Sequence, residues 1–260
     1  MGEPRRWTRE ELLLVLHLYE RIPFGQQHQT NPEVVALAAA LARTAGSVAM
    51  KLNNLTSLDP AERARGVKGL TGTSELDRQT WDEFHAGDLA REESEDRWET
   101  LVERAAPGQA REAPLPDPSP QGTTEALASR RIRLGQSYFQ RVVLANFNHR
   151  CALTGLAQPE LLQASHISPW AEDAPHRLDT AHGLCLNKLH GAAFDRKLLT
   201  FDNNLRLVIG RRLRSALAPG PLAAGILEYD GMRLSEPVRR PISRELLEKH
   251  RAVFAKAEAG

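Results

Sequence analysis

Four short runs decide the second half of this chain: Cys151-Ala-Leu-Thr-Gly155, Ala164-Ser-His-Ile-Ser-Pro-Trp170, His182-Gly-Leu-Cys-Leu-Asn-Lys-Leu-His190 and Ala193-Phe-Asp-Arg196. Five of the nine histidines lie between residues 149 and 190. Three of them, His166, His182 and His190, sit in segments with recognisable punctuation. A neutral imidazole near pH 7 can take a proton from water. A second imidazole can hold a divalent cation against a phosphate. The pattern suits hydrolysis of a phosphodiester, which needs a positioned water, a metal and neutralised charge.

The charge of the surrounding sequence agrees. Residues 123–214 hold 13 Lys and Arg against 7 Asp and Glu, a net +6, while the whole chain carries only +1. A basic module on a near-neutral protein suits a polyanion bound on one face. The two cysteines, Cys151 and Cys185, cannot build a four-cysteine zinc site, and neither has a CxxC partner, so they read as buried free thiols. The N-terminus runs into a polar helix start rather than an apolar signal core, and no stretch approaches the roughly 18 apolar residues of a membrane span. The expectation is a soluble cytoplasmic protein with no membrane contact.

Residues 105–122 hold five prolines and two glycines. Proline at that density cannot continue a helix or a central strand. It reads as a linker between a helical domain, 1–104, and a second domain, 123–260. In the first, Thr8 and Glu11 form a capping-box pattern ahead of Leu12, Leu13, Val15, Leu16 and Tyr19. Asn31-Pro32 opens a second helix. A turn at Arg43-Thr44 leads to a third over about 45–56, and two more are expected over 75–85 and 90–104. In the second domain, residues 137–147 read as a helix, and Leu205, Leu207 and Ile209 alternate as in a strand. Asp230-Gly231 reads as a hairpin turn. Ser243 caps a last helix. The fold class is α+β.

The quoted runs resemble the predicted HNH (ββα-metal) restriction endonucleases, strongly over about residues 138–214. Trp7-Thr-Arg-Glu-Glu11 and Ala64-Arg-Gly-Val-Lys-Gly-Leu70 resemble the N-terminal domain often found with them. The resemblance implies a metal-dependent DNA endonuclease of restriction or defence type. It assigns His166 as general base and His190 as metal ligand, the ion being Mg²⁺ first and Mn²⁺ or Ni²⁺ next. His182 stands where the family has an asparagine that orients the catalytic loop. Asn187 is a substitute in residue type but not in spacing. Ser165 replaces the aspartate that many members use as a second ligand, which leaves Asp195 as a candidate. Arg196 and Lys197 are expected on the nucleic-acid backbone. The first three helices resemble a Myb-like helix-turn-helix, whose last helix enters the major groove. Lys51, Asn53 and Asn54, with Lys68 in the glycine-rich 65–73 loop, are the expected DNA contacts. A domain of this type cuts one strand, so a homodimer would serve double-strand cleavage. The rival readings are a DNA-binding regulator with a decayed, inactive HNH half and a non-specific nuclease effector.

Overall fold

The computed structural model describes residues 5–105, 123–168 and 178–259. All but Ala105 of the proline-rich segment lies outside them, as do Pro169, Trp170 and His176. Two compact units divide at Tyr138/Phe139. The division therefore falls within a helix, not at the prolines. Residues 123–138, read from sequence with the second domain, pack in the first unit. Arg131 donates to Glu92 at 2.7 Å and Ser137 to Glu95 at 2.8 Å, and Tyr138 meets the Phe84 ring edge-on at 6.1 Å. Leu134 and Tyr138, four residues apart on one helix face, are both buried there.

The first unit is all helix: α1 (Arg9–Arg21), α2 (Pro32–Ala40), α3 (Ala45–Thr56), α4 (Pro60–Ala64), α5 (Glu75–Ala86), α6 (Asp88–Ala105) and the first part of α7 (Thr123–Asn146). The capping box forms as the sequence predicts. Glu11 N–H donates to the Thr8 hydroxyl at 3.3 Å, and Thr8 N–H donates to the Glu11 carboxylate at 3.1 Å. Glu11 has a second task. It accepts both arms of the Arg43 guanidinium, at 2.6 and 3.2 Å, while Arg43 lies 3.8 Å over the Trp7 ring. This clamp ties the entry of α1 to the turn between α2 and α3, which cross at 109°. That angle is typical of a helix-turn-helix. No single helix among the described residues is long and apolar enough to cross a membrane.

The second unit begins with the rest of α7 and contains two antiparallel ribbons. Strand β1 (Leu162–His166) pairs with β2 (Gly183–Asn187), and α8 (Lys188–Asp195) follows β2 without a break. Strand β3 (Leu199–Phe201) pairs with β4 (Leu207–Ile209); then come α9 (Arg211–Ala216), α10 (Pro221–Leu227) and α11 (Arg244–Ala259). The alternation of Leu207, Val208 and Ile209 gives the expected strand, with Val208 outward. The hairpin expected around Asp230-Gly231 does not form. Pro221 opens a helix that places Ala223 and Ile226 inward three residues apart, and Gly231 at φ +75° turns the chain. Residues 231–234 instead run against the start of β4, where Arg233 forms an isolated bridge with Arg206.

His250 of α11 locks this unit. It is 2% exposed, lies parallel to the Phe194 ring at 3.9 Å, and bridges the Phe194 carbonyl (3.1 Å) and the Thr200 hydroxyl (2.9 Å). Burial, then the Lys197 charge, pushes its pKa from 6.5 down to about 4. Below pH 6.5 the unfolded chain takes up a proton that the folded one refuses, so stability present above 6.5 is lost toward pH 4. The shift corresponds to roughly 3 kcal/mol. We expect the stability advantage of the wild type over His250→Gln, from urea unfolding of the full chain, to shrink between pH 7 and 4.5. An advantage that grows on acidification contradicts this linkage.

Candidate active site

The register of the β1–β2 ribbon sorts the three histidines. His166 pairs with Gly183, and the Ile167 N–H donates to the His182 carbonyl at 2.9 Å, so His166 and His182 meet at one end. The turn carrying His182 is held by Asp179, whose carboxylate accepts the Ala181 N–H at 2.9 Å. At the other end Leu162 pairs with Asn187, and there α8 begins. Four residue steps along a strand separate the two ends, about 13 Å.

Alternation along β1 then assigns faces. His166 stacks on Phe139 with ring centroids 3.7 Å apart and planes 12° from parallel. Its partner Gly183 turns to the same side, where a Cβ would lie 2.7 Å from Phe139 and 2.4 Å from Val143. The glycine therefore gives Phe139 the room to lie flat under the imidazole. Gln163 and Ser165 point the other way, toward α8. Gln163 donates to the Ser165 hydroxyl at 3.0 Å and to Asp195 at 3.2 Å, and Gly191 lets α8 sit close over Gln163. Asp195 thus ties α8 to β1. Loss of water at its carboxylate raises the pKa, against the hydrogen bonds from Ser165 and Gln163 and the charges of Lys197 and Arg196.

His190 is 3% exposed and sits in the first turn of α8. It lines a pocket of about 460 Å³ with Thr154, Gly155, Asn187 and Tyr229 among its walls. The Tyr229 ring meets it edge-on at 5.3 Å. Burial lowers its pKa, so the ring is neutral near pH 7. Asn187, five residues beyond the position expected for the family asparagine, is the N-cap of α8. Its Oδ1 accepts the His190 backbone N–H at 2.9 Å, and its Nδ2 lies 2.9 Å from His190 Nδ1. The Asn187 N–H in turn donates to the Cys151 sulfur at 3.2 Å, as does Thr154 N–H at 3.4 Å. Both thiols are buried, and burial followed by the proximity of Cys151 pushes Cys185 up to about 12.

Residues 151–202 match the HNH endonuclease family profile. They form an HNH domain. No curated protein is similar enough to the chain to be matched to it. The match runs from Cys151 through the ribbon, α8 and β3, so the hairpin and helix just described are the segment shared with the family.

As the resident of a cation site, this HNH domain fits poorly. Among the described residues no group of three or more His, Cys, Asp or Glu side chains is placed to hold a metal ion. Ser165 carries no charge, and Asp195 is engaged with Gln163 and Ser165. His190 Nδ1 faces an amide N–H donor, which puts the ring proton on Nε2, the nitrogen that would have to bind. The expected ligand role of His190 does not agree with this hydrogen bonding, and no step is derived through a metal here.

The expected nucleic-acid contacts of α3 need correction. Lys51 is buried and donates to both oxygens of the fully buried Asp77, at 2.8 and 2.9 Å. Asn53 donates to the Gln27 and Ala49 carbonyls, and Asn54 to the Gly72 carbonyl. The 65–73 loop itself covers this part of α3. Gly69, at φ +62°, packs so tightly that a Cβ would lie 2.6 Å from the Ser57 nitrogen and 2.7 Å from the Asn53 carbonyl. Lys68 on that loop is exposed. In the second unit Arg196 is exposed and donates to the Ala192 carbonyl, while Lys197, at φ +57°, lies 5.7 Å over the Phe194 ring. Sequence reading passed over Gln163 and Tyr229, whose placements depend on contacts with α8 and on the turn after α10. Lys51→Ala leaves Asp77 as an uncompensated buried charge, so it should cost about 3–5 kcal/mol of stability and leave the DNA affinity of the folded protein unchanged. Urea unfolding and a gel-shift titration check this; wild-type stability with weakened DNA binding would restore Lys51 as a contact.

Proposed function

We propose that the chain is a metal-dependent DNA endonuclease of restriction or defence type. The observation that carries the reading is the coincidence of the matched segment, 151–202, with a strand–strand–helix unit in which His166 and His182 meet at one end of the ribbon. The net +6 of residues 123–214 supports a polyanionic substrate.

His166 is the general base. It accepts a proton from water as the water oxygen bonds to phosphorus; the bond from phosphorus to the leaving oxygen breaks, and that oxygen takes up a proton. The flat stack on Phe139 holds the ring plane while it does so. His182, one residue before β2, orients the loop beside it. The metal dependence names Mg²⁺ first and Mn²⁺ or Ni²⁺ next; because the described side chains form no ligand cluster, such a cation would have to be held mainly by the phosphate and water. Exposed Lys68 and Arg196 remain available to the DNA backbone. A homodimer would give one HNH domain to each strand, in a cytoplasmic setting.

The substitution of His182 for the family asparagine favours one second reading, a DNA-binding protein whose nuclease half is inactive. Incubation of the purified chain with methylated and unmethylated plasmid, in Mg²⁺, Mn²⁺, Ni²⁺ or EDTA, separates the two. We expect metal-dependent cleavage, abolished in His166→Ala with DNA binding intact. Cleavage by His166→Ala would remove that residue as the base. Binding without cleavage in every metal would favour the inactive reader, and smearing of unrelated DNA and RNA the non-specific effector.

A further inference from the structure

The hydrogen bonds at the start of α8 settle the position of one proton. Asn187 Oδ1 accepts the His190 backbone N–H, which assigns the two arms of the amide. The other arm, Nδ2, faces His190 Nδ1 at 2.9 Å. An amide nitrogen only donates, so Nδ1 accepts, and a neutral ring then carries its proton on Nε2. Metal-bound histidines are wired the opposite way. Their outer nitrogen donates its N–H to an acceptor, which leaves the inner lone pair for the ion. Rewiring this site would turn the Asn187 amide over, put two donors face to face at the helix N–H, and remove the cap. His190 Nε2 is buried and has no hydrogen-bond partner among the described residues. A buried N–H calls for an acceptor, and the ring lines the pocket beside Thr154 and Tyr229.

We propose that Asn187 is a positioning residue that holds His190 in the Nε2–H tautomer, so that His190 donates a hydrogen bond to a phosphodiester oxygen instead of ligating the cation. The choice of acceptor rests on the nuclease reading; the tautomer does not. Asn187→Asp is the informative variant. Its carboxylate caps the helix equally well and also accepts from Nδ1–H, which frees Nε2 for a metal.

Long-range proton–nitrogen spectra of the ¹⁵N-labelled full chain in EDTA identify the protonated nitrogen of each imidazole, with His190 assigned through His190→Gln. The expected result is Nε2–H in the wild type and Nδ1–H in Asn187→Asp. Nδ1–H in the wild type, or no change in the variant, overturns the positioning role. Calorimetry with Mn²⁺ alone gives the second readout. His190→Gln should leave wild-type affinity unchanged, and Asn187→Asp should gain about tenfold, a gain absent from the double variant Asn187→Asp/His190→Gln. A loss of Mn²⁺ affinity in His190→Gln makes His190 a ligand and overturns the proposal. Thymidylyl-thymidine added in EDTA should move the His190 Nε2–H resonance; an unmoved resonance overturns the phosphodiester as acceptor. None of these readouts uses cleavage, so they fail or succeed independently of the plasmid assay.

Discussion

The junction that places His190 depends on the hydrogen bonds of one residue, Asn187. It ends β2 against Leu162, caps α8 through its Oδ1, donates its backbone N–H to the Cys151 sulfur, and presents its Nδ2 to His190. Strand, helix and the 151–155 loop are joined within a few ångströms because one short polar side chain satisfies the free N–H of a helix start while its backbone remains extended. The buried sulfur serves the same junction as an acceptor. That role explains why a thiol with no disulfide or zinc partner belongs at Cys151.

The ribbon divides its labour between two faces. One carries His166 against Phe139, with Gly183 leaving room for the aromatic ring. The other carries Gln163 and Ser165 against Gly191 and Asp195 of α8. The small residues are placed where the packing is closest, so the histidine plane and the helix position are set by van der Waals contact as well as by hydrogen bonds. His190 lies at the far end, governed by its own cap.

The first unit keeps the bend of a helix-turn-helix but uses much of the polar chemistry of its third helix internally. Lys51 neutralises Asp77, which also accepts the Ser74 N–H in the α5 capping box at 2.8 Å. Asn53 and Asn54 hold the 27 and 72 backbone segments. Arg43, a turn residue in sequence, is the cation that joins Trp7, Glu11 and the α2–α3 corner. These groups stabilise the bend; they are not free to leave it for a base edge.

The sequence by itself determined the longer helices of the first unit and the last helix, the α+β class and the HNH segment. Caps, proline positions and apolar periods act between residues three or four apart, and Thr8, Asn31 and Ser243 all cap as their spacing implies. It missed the Asp230-Gly231 region, where a Gly turn pairs equally well with a preceding helix or strand. Tertiary structure alone decided which polar side chains are already satisfied. The partner of Lys51 is 26 residues away and that of Gln163 on α8 is 32 away. It also decided which nitrogen of His190 holds the proton, and the reason is physical. A residue type states what a group can donate or accept, but only the fold brings it the neighbour that makes the choice.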